Sequence, residues 1–171
     1  MKRFGSATWN GDLREGKGSV STESRALECH PYTFFSRYGE KPGTNPEELL
    51  GAAHAACFTM SFVRMLGMAK FVPEQLASKS EVVIEKDGDG FSITSVHLTL
   101  VGRIPGIDNA TFQSIAMKAK AGCPVSKLMN IEIGFKATLA SQSIEDAPSR
   151  APPPARTSSR YQSRATAIVA R

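Results

Sequence analysis

The chain predicts one domain of mixed helices and strands, on three observations. After a polar opening at Asn45 to Glu48, the run from Leu49 through Leu66 is nearly all apolar or small, reading as a long buried helix. Two alternating stretches flank Asp87-Gly88-Asp89-Gly90, the clearest hairpin turn in the chain. Ile131 to Leu139 then alternates strictly, with Ile131, Ile133, Phe135, Ala137 and Leu139 on one face. At 171 residues the chain is long enough for a real core and short enough for a single domain.

In chain order, Phe4 to Trp9 reads as a strand and Asn10-Gly11-Asp12 as the turn that follows it. Gly16 to Ser21 supplies a second strand, and Glu23 to Leu27 can supply a third. Pro31 to Tyr38 is aromatic and reads as extended, with Arg37 its only charge. Gly39 to Gly43 is a loop into the central helix. There Thr44 or Asn45 can cap, Pro46 is preset for the first helical position, and Glu47 and Glu48 suit the positive end of the dipole. Gly51 invites close approach of another backbone, which would set Cys57 deep against a neighbour, and Gly67 is a natural stop.

Beyond the break at Phe71-Val72-Pro73, Ser80 to Lys86 alternates, with Val82 and Ile84 on one face. Phe91 to Val101 returns as a strand. Its parity changes between Phe91/Ile93 and Val96/Leu98/Leu100, which predicts a bulge near Thr94 or Ser95. Pro105 to Asp108 turns into a second helix, Asn109 to Ala121, with Phe112, Ile115, Ala116 and Ala119 inward and Gly122 ending it. Cys123-Pro124 opens a short helix through Met129. Residues 1–140 thus form the folded domain. Residues 141–171 are rich in Pro, Arg and Ser, and such a composition reads as a disordered tail.

The net charge of +5 is uneven: the tail carries five arginines against two acids, leaving +2 on residues 1–140. A nearly neutral domain argues against a nucleic-acid binder. No secretory leader and no membrane-spanning apolar run stand out, and three cysteines is an odd count. The expectation is a cytoplasmic protein with reduced thiols, in which a cysteine is more chemical than structural.

Cys57 alone reads as a small buried hydrophobe. Cys123 adds a second thiol in a different setting, at the N-cap of a helix, which ranks it as the lower-pKa of the two. Cys57 lies about three turns into its helix, beyond the dipole's reach, and would need a cation from elsewhere. Arg37 is the candidate, since a guanidinium can hold a thiolate and contact a peroxide oxygen. Glu47 is roughly 15 Å from Cys57 along a helix, too far to be its base. It can pair with Arg37 or serve the helix N-terminus. His54 reads as a hydrogen-bonded core histidine, because no further ligand stands at metal-site spacing. Cys29 reads as incidental. Met60, Phe62, Met65 and Met68 read as packing, of a kind that also suits an apolar substrate pocket.

Asn45-Pro46-Glu47-Glu48-Leu49-Leu50-Gly51-Ala52-Ala53-His54-Ala55-Ala56-Cys57-Phe58 and Lys118-Ala119-Lys120-Ala121-Gly122-Cys123-Pro124-Val125-Ser126 resemble the two signatures of the OsmC/Ohr family, the osmotically inducible and organic hydroperoxide resistance proteins. Gly16-Lys17-Gly18 and Val20 to Ser24, with the loop Gly43 to Pro46, favour the OsmC branch. The resemblance implies an α+β fold, two long helices against curved antiparallel sheets, in an intertwined homodimer with active sites at the subunit interface. It also implies a thiol-dependent peroxidase acting on organic hydroperoxides and less well on hydrogen peroxide. Cys57 would be the peroxidatic thiol and Cys123 the resolving thiol that closes a disulfide with it. Arg37 would stabilise the thiolate and Glu47 orient Arg37. No metal or bound cofactor is implied; an external dithiol, at family level a lipoyl-type one, would regenerate the pair. This reverses the ranking of the thiols by position, and the apolar surroundings of Cys57 favour the family's order for a lipid-like peroxide. The runner-up is a redox-sensing or apolar-ligand-binding module of the same fold, and the plainest reading is a structural dimer with two inert thiols.

Overall fold

The computed structural model describes residues 1–39 and 41–141. The expected tail therefore lies outside the described residues, apart from Ser141 at its start.

Strands β1 (Gly5–Asn10) and β2 (Lys17–Thr22) pair antiparallel, and β3 (His30–Tyr32) adds to the other edge of β2. Asp12 shapes the β1–β2 connection by accepting from the N–H groups of Arg14 and Glu15. Two expectations change here. Residues 23–27 form a turn, closed by Thr22 N–H donating to the Leu27 carbonyl at 2.9 Å, with Arg25 in the left-handed region at φ 60°. Their polar side chains have no sheet face to bury, so the third strand falls at His30–Tyr32 instead.

The aromatic run is extended only at its start; Phe34–Tyr38 is a short helix, α1. Thr33 Oγ1 accepts from the Ser36 N–H, and Ser36 Oγ accepts from the Thr33 N–H. This reciprocal cap outweighs the strand propensity of the aromatics. Ser36 Oγ also donates to the Thr44 carbonyl at 3.0 Å, tying α1 to the start of the next helix.

Helix α2 (Pro46–Met68) is capped by Asn45, whose side chain accepts from the Glu48 N–H at 2.8 Å. It runs through Gly67 and ends one residue later, with Lys70 taking the left-handed conformation at φ 63°. Its buried stripe is Glu47, Gly51, His54, Phe58, Phe62 and Leu66, a spacing of three to four residues. The helix is not enclosed by its own chain as its composition suggested. Ala52, Ala53, Ala56, Met60 and Val63 lie on the exposed side, Met60 at 75% exposure. By length and composition alone α2 is long and apolar enough to cross a membrane, contrary to the expectation that no run of the chain is.

Strands β4 (Gln75–Asp87) and β5 (Gly90–Arg103) form a long antiparallel hairpin across Gly88 and Asp89. Val83 pairs with Ser95 and Ile84 with Ile93, so Thr94 is the extra residue of a bulge, where the parity change places it. Beyond it Val96, Leu98 and Leu100 all point into the core. Helix α3 (Asn109–Gly122) is capped by Asp108 and turns Phe112, Ile115, Ala116 and Ala119 inward. After α4 (Pro124–Leu128), β6 (Ile133–Leu139) joins β5 in parallel. The antiparallel expectation thus holds for β1-β2-β3 and for β4-β5 but not for β6. Two helices intervene between β5 and β6, and a crossover of that kind returns the chain in the same direction.

The core lies between α2, α3 and the β4-β5-β6 sheet. Phe62 meets Phe112 edge-on at 5.6 Å, and Phe58 meets Phe135 at 5.5 Å. Gly51 lets β4 cross α2 closely: a Cβ there would lie 2.6 Å from the Ser80 carbonyl oxygen.

Candidate active site

Cys57 sits on α2 next to Phe58, and Cys123 is the N-cap of α4. Packing of α2 against α3 and α4 brings these thiols together across the chain. Their sulfurs lie 3.4 Å apart and share a hydrogen bond, and both are free thiols. A disulfide needs roughly 2.0 Å, so closure asks for about 1.4 Å of movement. Access differs: Cys57 is half-buried, whereas Cys123 is wholly buried.

The electrostatics follow the ranking read from position. Burial pushes the Cys57 thiol up, only partly offset by the Val125 N–H, and its hydrogen bond to Cys123 raises it further. Burial opposes ionisation of Cys123 too. There, the Ser126 N–H and hydroxyl, the Cys57 thiol and the Val125 N–H together outweigh it, so Cys123 lies below an ordinary thiol.

Arg37 and Glu47 meet as expected for a fork on a carboxylate. Arg37 Nη2 donates to Glu47 Oε1 at 2.6 Å, and its Nε donates to both oxygens at 3.1 and 3.2 Å. Glu47 is nearly buried at 8% side-chain exposure, against 35% for Arg37. The hydrogen bond to Glu47, stronger than the opposing effect of burial, raises the guanidinium further above its ordinary range. The guanidinium also lies 5.0 Å from the Tyr38 ring centre. Among the described residues its hydrogen bonds go to Glu47 and none goes to Cys57, which keeps Arg37 at the start of α2 and leaves the thiol pair without that cation in this chain.

His54, one turn before Cys57, is completely buried. Nδ1 is 2.8 Å from Ser80 Oγ on β4 and Nε2 is 2.9 Å from Ser126 Oγ on α4. Burial first, and the charge of Lys120 second, lower its basicity. It is the hydrogen-bonded core histidine expected. Among the described residues no three His, Cys, Asp or Glu side chains cluster as metal ligands. Cys29 is exposed, at φ 51°, and within 3.9 Å of Ser21 Oγ.

Residues 39–137 match the family model described as OsmC-like protein. The chain belongs to this family. It is 49% identical over 133 residues to peroxiredoxin OsmC of Escherichia coli, covering 78% of this chain and 93% of that one. It is 35% identical over 99 residues to an organic hydroperoxide resistance protein of Xanthomonas axonopodis pv. citri, covering 57% of this chain and 68% of the relative. A crystal structure of an organic hydroperoxide resistance protein from Elizabethkingia anophelis superposes with a TM-score of 0.62 at 24% identity, over 82% of this chain and 99% of that one, a likeness of fold. The OsmC-like α+β fold is therefore the one the signatures implied, and the names of its relatives place a peroxidase-type function in the family.

What sequence reasoning missed in this OsmC-like site are the hydroxyls. Ser126 stands three residues after the N-cap cysteine on α4, and its hydroxyl meets His54 Nε2. Ser80 carries no signal; only the crossing of β4 over Gly51 brings it to His54.

Proposed function

We propose that this OsmC-like protein is a thiol-dependent peroxidase that reduces organic hydroperoxides, and hydrogen peroxide less well, to alcohols. The observation that carries the reading is the 3.4 Å separation of the Cys57 and Cys123 sulfurs. The Cys57 thiolate attacks the distal peroxide oxygen; the O–O bond breaks and the alkoxide leaves as alcohol with one proton. The sulfenic acid left on Cys57 is attacked by the Cys123 thiolate, the S–O bond breaks, and hydroxide leaves to become water. Two electrons from an external dithiol, a lipoyl-type one at family level, then return the disulfide to two thiols. The chemistry needs no metal and no bound cofactor.

Access supports Cys57 as the attacking sulfur despite the lower pKa of Cys123, because a peroxide reaches a half-buried thiol before a wholly buried one. Arg37, steered by Glu47, is proposed to supply the cation that Cys57 lacks when substrate or a second subunit closes over the site. The exposed apolar stripe of α2, Ala52, Ala56, Met60 and Val63, suits a second copy of the chain, so a homodimer is part of the proposal. A cytoplasmic location, with neither nucleic acid nor membrane as partner, completes it.

Purified protein with a dithiol is expected to consume an alkyl hydroperoxide over many turnovers, and Cys57→Ser is expected to abolish this. Full turnover by Cys57→Ser sinks the site assignment. A wild-type protein that forms the disulfide once and does not cycle is instead a redox sensor of the same fold.

A further inference from the structure

We propose that Tyr38 and Phe91 are positioning residues for Arg37: their stacked rings clamp α1 to the tip of the β4–β5 hairpin and so hold the guanidinium on Glu47. The proposal deepens the peroxidase reading and rests on it for the role of Arg37 as the cation of the site.

A helix of five residues has too few internal hydrogen bonds to keep its shape or place unaided. What α1 touches therefore decides where Arg37 stands. On one flank the contacts are polar and lead to the start of α2. Ser36 Oγ donates to the Thr44 carbonyl at 3.0 Å, Asn45 Nδ2 donates to the Ser36 carbonyl at 3.3 Å, and Arg37 grips Glu47. On the other flank the contacts are rings. Tyr38, the residue after Arg37, stacks on Phe91 with centres 4.3 Å apart and planes 28° from parallel. Phe34 leans on the same Tyr38 ring at 5.0 Å, and the Arg37 guanidinium lies 5.0 Å from its centre. Among the described residues, Tyr38–Phe91 is the ring contact that joins α1 to the sheet of β4, β5 and β6.

Phe91 is 49% exposed, so core packing does not account for it. Two local features put it within reach of Tyr38. The hairpin tip is fixed by Gly88 at φ 58° and by Ser92 Oγ, which donates to Asp87 Oδ2 at 2.7 Å. The bulge at Thr94 then sets the face. Cross-strand partners share a face, and Phe91 opposes Lys86, Ile93 opposes Ile84 and Val96 opposes Val82. Phe91 thus continues the face of Val96, Leu98 and Leu100 beyond the end of the core. Without the extra residue, strict alternation back from Val96 would place Thr94 and Ser92 there and turn Phe91 to the opposite side. Re-aiming a side chain is a recurrent use of a bulge, and here it presents a ring to α1.

The consequence falls on the direction of the guanidinium. Glu47 fixes the fork of Arg37 but not the backbone that carries it. With the ring of Phe91 gone, the end of α1 at Tyr38 loses its hold on the hairpin, and water competes for the partly exposed fork. A charge meant for a thiolate and a peroxide oxygen then spends less time in the productive direction, and small misplacements of that kind are costly to rate.

The test begins without peroxide, in the full chain. Nitrogen NMR follows exchange of the Arg37 Nε–H with water, the resonance being assigned by its loss in Arg37→Gln. Phe91→Ala is expected to speed this exchange by up to about tenfold, the scale a stacked aromatic pair supports. Tyr38→Leu breaks the same stack from the other ring and is expected to match it, whereas Phe91→Tyr keeps the stack and the wild-type rate. An unmoved rate in either ring deletion, or a Phe91→Tyr rate as fast as that of Phe91→Ala, overturns the proposal. With an alkyl hydroperoxide and a dithiol, kcat/KM is expected to fall about tenfold in Phe91→Ala, to recover in Phe91→Tyr, and to fall no further when Phe91→Ala is added to Arg37→Gln. An equal loss in the Arg37→Gln background shows that Phe91 acts independently of Arg37 and overturns the proposal too. Because the exchange arm uses no peroxide, a wild-type protein that turns over none refutes the functional reading, while the exchange rates alone decide the clamp.

Discussion

Gly51→Ala places a methyl group where α2 and β4 nearly touch, and the cost can be worked from the geometry. The new Cβ would lie 2.6 Å from the Ser80 carbonyl oxygen and 3.7 Å from Val82 Cγ2. An ordinary contact of this kind is at least 0.4 Å longer, since real Cβ atoms essentially never come under 3.0 Å. The oxygen cannot swing aside, because Ser80 sits in register opposite Leu98 in the β4–β5 ladder. Overpacking of a built-in contact costs about 1–3 kcal/mol. The gain from replacing a helical glycine with alanine is about 1 kcal/mol. With backbone as the obstructing atom the upper part of that range applies, so the net loss is about 2 kcal/mol. For a domain of this size that is a fall in Tm of roughly 6 °C. The displaced strand also carries Ser80 away from His54 Nδ1. Thermal unfolding followed by circular dichroism is the assay. A Gly51→Ala protein as stable as wild type, or more so, would show that α2 and β4 are not apposed in this way.

Other consequences are checked more simply. Glu47→Gln leaves Arg37 without its charged partner; because Arg37 is partly exposed the stability cost is only about 1–2 kcal/mol by urea titration, whereas peroxide turnover is expected to fall about ten- to a hundredfold as the guanidinium loses its fixed direction. Asn45→Ala removes the α2 cap and is expected to cost about 1 kcal/mol in the same titration. His54 binds its proton less readily folded than unfolded, because of burial and then Lys120. Its stability contribution is therefore complete above about pH 6.5 and declines as pH falls below that, by at most about 1.4 kcal/mol per pH unit. Tm against pH should show this slope in wild type and lose it in His54→Gln. Met60→Asp puts a charge in the exposed stripe of α2, and sedimentation should find it monomeric if two copies meet there.

Wherever local chemistry and the buried pattern agreed, the elements were legible in advance. Asn45-Pro46 starts α2 because a cap and a preset φ need no tertiary help. The parity change in β5 locates Thr94 as the bulge, because a period of two leaves a slipped residue nowhere to hide. Phe34–Tyr38 was misread because strand propensity was weighed without the Thr33–Ser36 cap, which is decided by hydrogen bonds rather than side-chain bulk.

The candidate site divides in the same way. Cys57, Cys123, Arg37 and Glu47 could be singled out from residue type and signature, and the pairing of Arg37 with Glu47 follows from opposite charges flanking one loop. That the two sulfurs approach to 3.4 Å across 66 residues depends on how α2 packs against α3 and α4. The parallel seat of β6, the exposure left on α2 and the Ser80–His54–Ser126 chain were likewise decided only in three dimensions. Periodicity and capping act between residues a few positions apart, so one chain spells them out. Contacts between distant segments depend on which surfaces win the competition for burial, and that is settled only when the whole core closes.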